Sequence, residues 1–278
     1  MVSRDDALVR TIRPHRKVFT LGLRELWRHR ELFFFFAWRD IKVRYKQTVI
    51  GALWVIIQPL FTMVVFSLIF GNLAKIPSDG VPYPIFSYCG LLPWGLFSRG
   101  ISQAANSLVA NQQLITKIYF PRLLLPLSSV MTGLVDFAVA FVVLIGMMLF
   151  FGISPTWNVI WIPAFLLVTV MTALGVGLWL SALNVRYRDV RYVLAFLTSL
   201  WLYATPVIYP TSLLGGRLAF LLELNPMSGV VEGFRWALLG TGVAPGRMFL
   251  ISSLASLLLL VTGRLYFARL ERTFADVI

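Results

Sequence analysis

The chain has one cysteine, two histidines and only twelve acidic residues among 278, and each scarcity removes a class of chemistry. A single thiol, Cys89, leaves no partner for an internal disulfide and no thiolate set for a metal cluster. His15 and His29 both sit in the basic N-terminal stretch, so no His-Glu-x-x-His zinc helix is written. The sequence contains no Gly-x-x-x-x-Gly-Lys-Ser/Thr, the loop that cradles nucleotide phosphates. Paired carboxylates for sugar chemistry need two acids at one face. Glu223 and Glu232 form the one close pair in the outer segments, with Asp79 apart, which leaves a membrane glycosyltransferase unsupported but open. No metal and no cofactor is expected in this chain itself. The N-terminus has no short apolar core followed by a small-residue cleavage site, so no cleaved signal peptide is expected.

Charge is also missing over long stretches. Between Lys46 and Lys75 the chain runs twenty-eight residues without one, and Phe137 to Val185 is a second uncharged run. A helix needs about 20 apolar residues to cross roughly 30 Å of hydrocarbon. With 58% hydrophobic residues, 13% charged and a mean hydropathy of +0.80, the chain reads as an all-α integral membrane protein. Six crossings are expected, at 49–73, 85–108, 123–150, 158–183, 191–209 and 247–267. Gly152-Ile-Ser-Pro-Thr-Trp-Asn158 splits the third from the fourth. A region 1–48 precedes this six-helix membrane block of 49–267, and a tail, 268–278, follows it.

The net charge of +13 is distributed unevenly: twelve of the 25 Lys and Arg precede residue 47. The segments 109–122, 184–190 and the tail carry Lys117 and Arg122, Arg186 and Arg188, and Arg269 and Arg272. The opposite segments hold only Lys75, Arg217 and Arg235. By the positive-inside rule both termini are expected in the cytoplasm.

Two stretches do not fit a simple crossing. In Glu31–Lys46 the residues Phe34, Trp38, Ile41 and Tyr45 share one stripe at helical spacing, with Arg39, Lys42 and Lys46 beside it. That pattern predicts an amphipathic helix at the inner interface, either an anchor for anionic headgroups or part of a functional site. Segment 210–246 has apolar pieces too short to span, separated by Gly and Pro, and predicts short re-entrant or interfacial periplasmic helices between spans five and six.

Arg99 and Asp136 are the charges set deep in spans. Their depths, roughly 13 and 20 Å above the inner end, predict an intramembrane ion pair. It either locks two helices or marks a functional group, the proton relay of a secondary transporter among them. Aromatics are abundant: 22 Phe, 9 Trp and 9 Tyr. Trp54, Phe61 and Phe66 in the first span and Trp201, Tyr203 and Tyr209 in the fifth are candidate channel-lining rings, with lipid-facing packing as the alternative. Gln58-Pro59 and Thr205-Pro206 place helix breakers in the same two spans.

Several segments, in order, carry a resemblance: Asp40-Ile-Lys-Val-Arg-Tyr-Lys-Gln-Thr48 with Leu53-Trp54 and Gln58-Pro59; Gly90-Leu-Leu-Pro-Trp94; Asn111 to Leu125; Asn184-Val-Arg-Tyr-Arg-Asp-Val190 with Thr205-Pro-Val-Ile-Tyr209; and Asn225-Pro-Met-Ser-Gly229 with Glu232-Gly-Phe-Arg235. From about Leu26 to Arg264 the chain resembles the permease subunit of type-2 ABC exporters of bacterial surface polysaccharide, most of all the O-antigen export permeases. The resemblance implies a homodimer in the inner membrane, docked on two copies of a separate ATPase that binds ATP and Mg. It implies an ATPase-coupling helix around Leu114, Ile115, Lys117, Tyr119 and Phe120, and a second contact at Arg186, Arg188 and Asp189. It also implies a gate helix bearing Trp38, Arg39, Lys42, Arg44 and Tyr45. The implied cargo is a glycan on a polyprenyl diphosphate, whose diphosphate would meet Arg39, Lys42 and Arg44. Capsule, teichoic-acid and small-lipid or drug exporters share this permease type.

Overall fold

The structure, a computed structural model, describes residues 27–46, 53–242, 244, 246–271 and 274. The basic stretch before residue 27 with His15, the start of the first expected span at 49–52, and Arg272 in the tail lie outside the described residues. Every regular element among the described residues is helical. In chain order they are α1 (Arg30–Lys46), α2 (Leu53–Phe66), α3 (Tyr83–Ala110), α4 (Gln112–Lys117), α5 (Leu124–Phe150), α6 (Ile162–Arg186), α7 (Val190–Tyr203), α8 (Gly216–Leu224), α9 (Ser228–Leu239) and α10 (Gly246–Leu270).

Four helical stretches are long and apolar enough to cross a membrane: Leu53–Leu73, Leu124–Phe150, Trp157–Arg186 and Gly246–Leu270. The two other expected crossings form helices but miss that standard for different reasons. Helix α3 has 28 residues, about 42 Å, but its second half interleaves Arg99, Ser102, Gln103, Asn106 and Ser107 with the apolar residues. Helix α7 has 14 residues, about 21 Å. It stops at Tyr203 because Pro206 has no N–H to continue the ladder and pushes Thr205 out of the helical region. Pro59, by contrast, does not break α2. The helix runs through it, Thr62 Oγ1 donates to the Gln58 carbonyl at 3.0 Å, and the chain continues as a π-helix over Ser67–Leu73.

The bundle centres on α3, which packs on α5 and α6, while α6 packs on α10. The α6–α10 crossing is close because it is built from glycines. A Cβ on Gly263 would lie 2.3 Å from the Gly175 carbonyl oxygen, and one on Gly175 would lie 2.6 Å from the Leu259 backbone. Without a hydrophobic drive between helices in lipid, such small-residue contacts hold them by dispersion. Large apolar side chains on α2, α5, α7 and α10 point outward, as a bundle solvated by lipid requires.

The segment between α7 and α10 does fold into two short helices. Helix α8 exposes Phe220, Leu221 and Leu224, whereas α9 is buried along nearly all its length. At the opposite end of the bundle a second core joins Phe36 of α1, Leu108 of α3, Ile115 of α4, Phe120, Leu124, Leu178, Ala182, Phe267 and Phe274. Tail and loop are tied there: Arg122 donates from its backbone N–H to Glu271 Oε1 at 3.3 Å and from Nη1 to the Glu271 carbonyl.

Candidate functional site: a charged cluster between α1 and the bundle

Helix α1 is docked on α5, and the aromatic stripe of the sequence pattern divides, with Tyr45 reaching α5. Phe34 and Trp38 point outward and are exposed. The buried anchor is Phe36, 3% exposed, whose ring lies 5.5 Å from that of Phe120. Two turns further along, the same helix delivers Arg44 and Tyr45. Arg44 Nη1 meets Asp136 Oδ2 at 2.5 Å, and the Tyr45 hydroxyl donates to Asp136 Oδ1 at 2.6 Å. Asp136 is 3% exposed. Both contacts are charge-assisted, the stronger class of hydrogen bond. They fill both oxygens of the one carboxylate in the spans of α3 and α5. Burial and the bond to Asp136 push the Tyr45 hydroxyl from 10.0 up to about 12.

Asp136 therefore pairs with Arg44, and the expected Arg99–Asp136 ion pair is corrected. Depth along two helices predicted that pair correctly as a neighbourhood but left α1 out of the competition. Arg99 lies within electrostatic range of Asp136, Arg44, Tyr45 and Tyr88, yet its Nε donates to the Gly95 carbonyl at 3.1 Å. Arg39, in turn, is held by Asp40 at 2.8 Å and stands over the Phe36 ring at 5.2 Å. Lys42 is exposed.

The expected coupling residues gather at the end of the bundle that holds Phe36 and Phe120. Asn184 Nδ2 donates to the Ala105 carbonyl at 2.9 Å and to Asn106 Oδ1 at 3.2 Å, so the end of α6 is fastened to the end of α3. Lys117, Tyr119, Arg186, Arg188 and Asp189 are exposed beside this joint, and Leu114 is half-buried. Ile115 and Phe120 are buried and root the loop rather than present a surface.

The six channel-candidate aromatics divide. Trp54, Phe61 and Tyr203 are exposed. Phe66 is buried, in a T-shaped pair with Phe70 at 5.6 Å. Trp201 packs edge-on to Phe97 at 4.9 Å and donates to Asn225 Oδ1 at 3.0 Å, and the Tyr209 hydroxyl donates to the Tyr203 carbonyl at 3.2 Å. Trp201 and Tyr209 nevertheless border one apolar recess with Leu213, Leu221 and Asn225.

Sequence reasoning missed the role of Arg235, counted there only as an outer charge. It is 1% exposed and donates from Nη1 to the Pro206 carbonyl at 2.6 Å and from Nη2 to the Val207 carbonyl at 2.7 Å. Its Nη1 also meets Glu232 Oε1 at 3.2 Å, and its guanidinium stacks 3.6 Å from the Phe86 ring centre. A Cβ on Gly90 would lie 2.9 Å from Arg235 Nη2, so the glycine makes the space. Arg235 thus satisfies the carbonyls that the chain frees where α7 ends. Pro206 and a solitary arginine in an apolar segment were the available signal.

A bundle with four stretches long and apolar enough to cross a membrane, with α1 tied to an internal carboxylate, is the architecture of a multi-pass membrane protein. The chain belongs to the ABC-2 type transporter family, whose family model matches residues 31–239. It is 32% identical over 216 residues to the O-antigen export system permease protein RfbA of Myxococcus xanthus, covering 77% of this chain and 82% of that one. It is 29% identical over 241 residues to the protein of the same name from Klebsiella pneumoniae, covering 86% and 92%. The polysialic acid transport protein KpsM of Escherichia coli is 23% identical over 222 residues, covering 75% and 81%. Membership of the family implies an ATPase partner.

Proposed function

We propose that the chain is the membrane subunit of an ATP-driven exporter that moves O-antigen-type polysaccharide, linked to a polyprenyl diphosphate, across the bacterial inner membrane. Two copies, each with six spans and both termini in the cytoplasm, form the pathway and sit on two copies of an ATPase that binds ATP and Mg. In this reading α3 and α7 complete the count of six. Helix α3 tolerates its polar residues because they face a pathway, and α7 is extended by the segment that Arg235 pins. The short helices α8 and α9 are then re-entrant at the outer side. Trp54, Phe61 and Tyr203 are the rings available to a sugar, and Lys42 on α1 is available to a phosphate.

The observation that carries this is the braced end of the bundle. Lys117 and Tyr119 on one connection, and Arg186, Arg188 and Asp189 on another, are exposed at the end of the bundle where Ile115, Phe120, Leu178 and Ala182 share one core. The loop beneath them is rooted by Ile115 and Phe120 and touches α1 through Phe36. A push on that loop passes directly to a helix whose far end holds Asp136, which is how ATP's differential affinity for two states becomes a movement. The names of the O-antigen export relatives support the cargo, and the KpsM relative supports capsule polymer as the second reading.

Co-purification in mild detergent tests the assembly. Tagged chain is expected to bring down an ATPase in a one-to-one ratio, and Tyr119→Ala with Arg188→Ala is expected to lose it while the chain stays dimeric. A chain that purifies alone under every mild condition, with full transport activity, overturns the proposal.

A further inference from the structure

The second half of α3 is the least lipid-compatible surface of the bundle. Arg99, Ser102, Gln103 and Asn106 recur at three- and four-residue spacing, so they share one face, and each is partly or fully uncovered. Gln103 and Asn106 are each touched once from the side, by Thr132 Oγ1 at 3.4 Å and by Asn184 Nδ2 at 3.2 Å. Asn106 and Arg99 each also bond one turn back along their own helix. Polar side chains at membrane depth face protein or water, not acyl chains.

Arg99 is the charged member of that face, about 16 Å from the end of α3 at Ala110. Asp136 brings one negative charge, already engaged by Arg44 at 2.5 Å and by the Tyr45 hydroxyl at 2.6 Å. Arg44 and Arg99 bring two positive charges. Among the described residues no carboxylate lies within ion-pair distance of Arg99, and its one hydrogen bond uses Nε. Gly95, where a Cβ would lie 2.9 Å from Arg99 Nη2, leaves the guanidinium room to fold along the helix. Both Nη groups therefore remain available as a fork of donors, the geometry that suits a phosphate.

We infer that Arg99 is the centre of a phosphate-anion site, with Ser102 one turn away on the same face, and that the anion is the diphosphate of the lipid-linked cargo. The inference rests on the cargo reading above and moves the diphosphate contact from the arginines of α1, which Asp40 and Asp136 occupy, to α3. The Arg44–Asp136–Tyr45 contact becomes the wall of the site. It holds α1 against α5 and leaves the guanidinium of Arg99 for the ligand. A phospholipid headgroup offers the same phosphate chemistry, so the test separates the two sources.

The full chain, with its partner ATPase, is placed in nanodiscs of zwitterionic phosphatidylcholine and titrated with a polyprenyl diphosphate by native mass spectrometry. Phosphatidylglycerol is the competitor. Arg99→Gln is expected to weaken binding about tenfold, the scale of a lost hydrogen bond to a charged group, and Arg99→Lys, which keeps the charge and loses the fork, by less. Excess phosphatidylglycerol is expected not to displace the diphosphate. Equal affinity in all three proteins overturns the Arg99 site and leaves the cargo reading standing. Failure of the unaltered complex to bind polyprenyl diphosphate overturns both. Displacement by phosphatidylglycerol, with the same dependence on Arg99, reassigns the anion to a lipid headgroup and overturns the cargo contact. Should Arg99→Gln not fold, Arg99→Lys decides: binding indistinguishable from the unaltered chain, at both low and high salt, removes the site.

Discussion

A double-mutant cycle on Arg44 and Asp136 measures how firmly α1 is held to the bundle. The charges meet at 2.5 Å, with the aspartate side chain 4% exposed and the arginine side chain 28% exposed. At an effective dielectric of about 20, unit charges about 3 Å apart attract by about 5 kcal/mol. Desolvation of Asp136 offsets a large part of that, and the wetter flank of Arg44 screens some of the rest. A coupling energy of about 2 kcal/mol is the expected remainder, within the range measured for residues in contact. Asp136→Asn alone is expected to cost about 3 kcal/mol, because it removes the charge of the carboxylate that Arg44 and Tyr45 both hold. Arg44→Gln with Asp136→Asn is expected to cost less than the sum of the singles by the coupling energy. Reversible unfolding in mixed detergent micelles supplies the four free energies. The companion cycle on Arg99 and Asp136 is expected to show a coupling below about 1 kcal/mol, since those side chains make no direct contact. Additive single mutants at 44 and 136, with strong coupling between 99 and 136, would refute the assignment.

Removing the Arg235 guanidinium leaves the buried Pro206 and Val207 carbonyls without its two short hydrogen bonds and takes away the ion-pair partner of Glu232. Arg235→Met is expected to cost about 3 kcal/mol or more, read as loss of folded protein in a detergent thermal melt, with Arg235→Lys less damaging. Gly263→Ala forces a methyl against the Gly175 carbonyl at the α6–α10 crossing and is expected to cost about 1–3 kcal/mol by the same assay. Phe36→Ala is expected to leave the bundle folded but to cut ATP-dependent export severalfold without loss of ATPase binding, because it removes the ring linking α1 to the Phe120 loop. A hydroxyl whose folded pKa lies near 12 against 10.0 unfolded stabilises the docked helix fully below pH 10 and loses that contribution as pH rises through 12. Protection of α1 from proteolysis is expected to fall over that window, and Tyr45→Phe is expected to abolish the step.

The apolar runs made the spans readable because lipid imposes one length on every crossing, and α2, α5, α6 and α10 obey it. Helix α3 and helix α7 were located as well, but their departures from the rule were not visible in apolar content alone. One carries a polar face, and the other is cut short by Pro206. The charged cluster shows where pattern reading stops. The depth of Arg99 and of Asp136 follows from counting residues along helices, whereas the arrival of Arg44 depends on α1 packing by Phe36, a residue outside its apparent stripe. Phe36 lies in an apolar run that has no contrast to reveal which ring is inward. Arg235 was harder to read because two of its partners are the Pro206 and Val207 main-chain carbonyls, which only Pro206 and the solitary arginine hint at in the sequence. The residues that the family resemblance offers for coupling came from that resemblance rather than from any pattern of their own, and of them Lys117, Tyr119, Arg186, Arg188 and Asp189 are exposed.

Depleting the chain in its native cell and comparing surface glycan with lipid-linked glycan held inside addresses export most directly. Lipid-linked polymer accumulating on the inner side of the membrane while the surface is bare is the expected result, and the sugars of that polymer distinguish O-antigen from capsule. An unchanged inventory in both pools would contradict polysaccharide export by this chain.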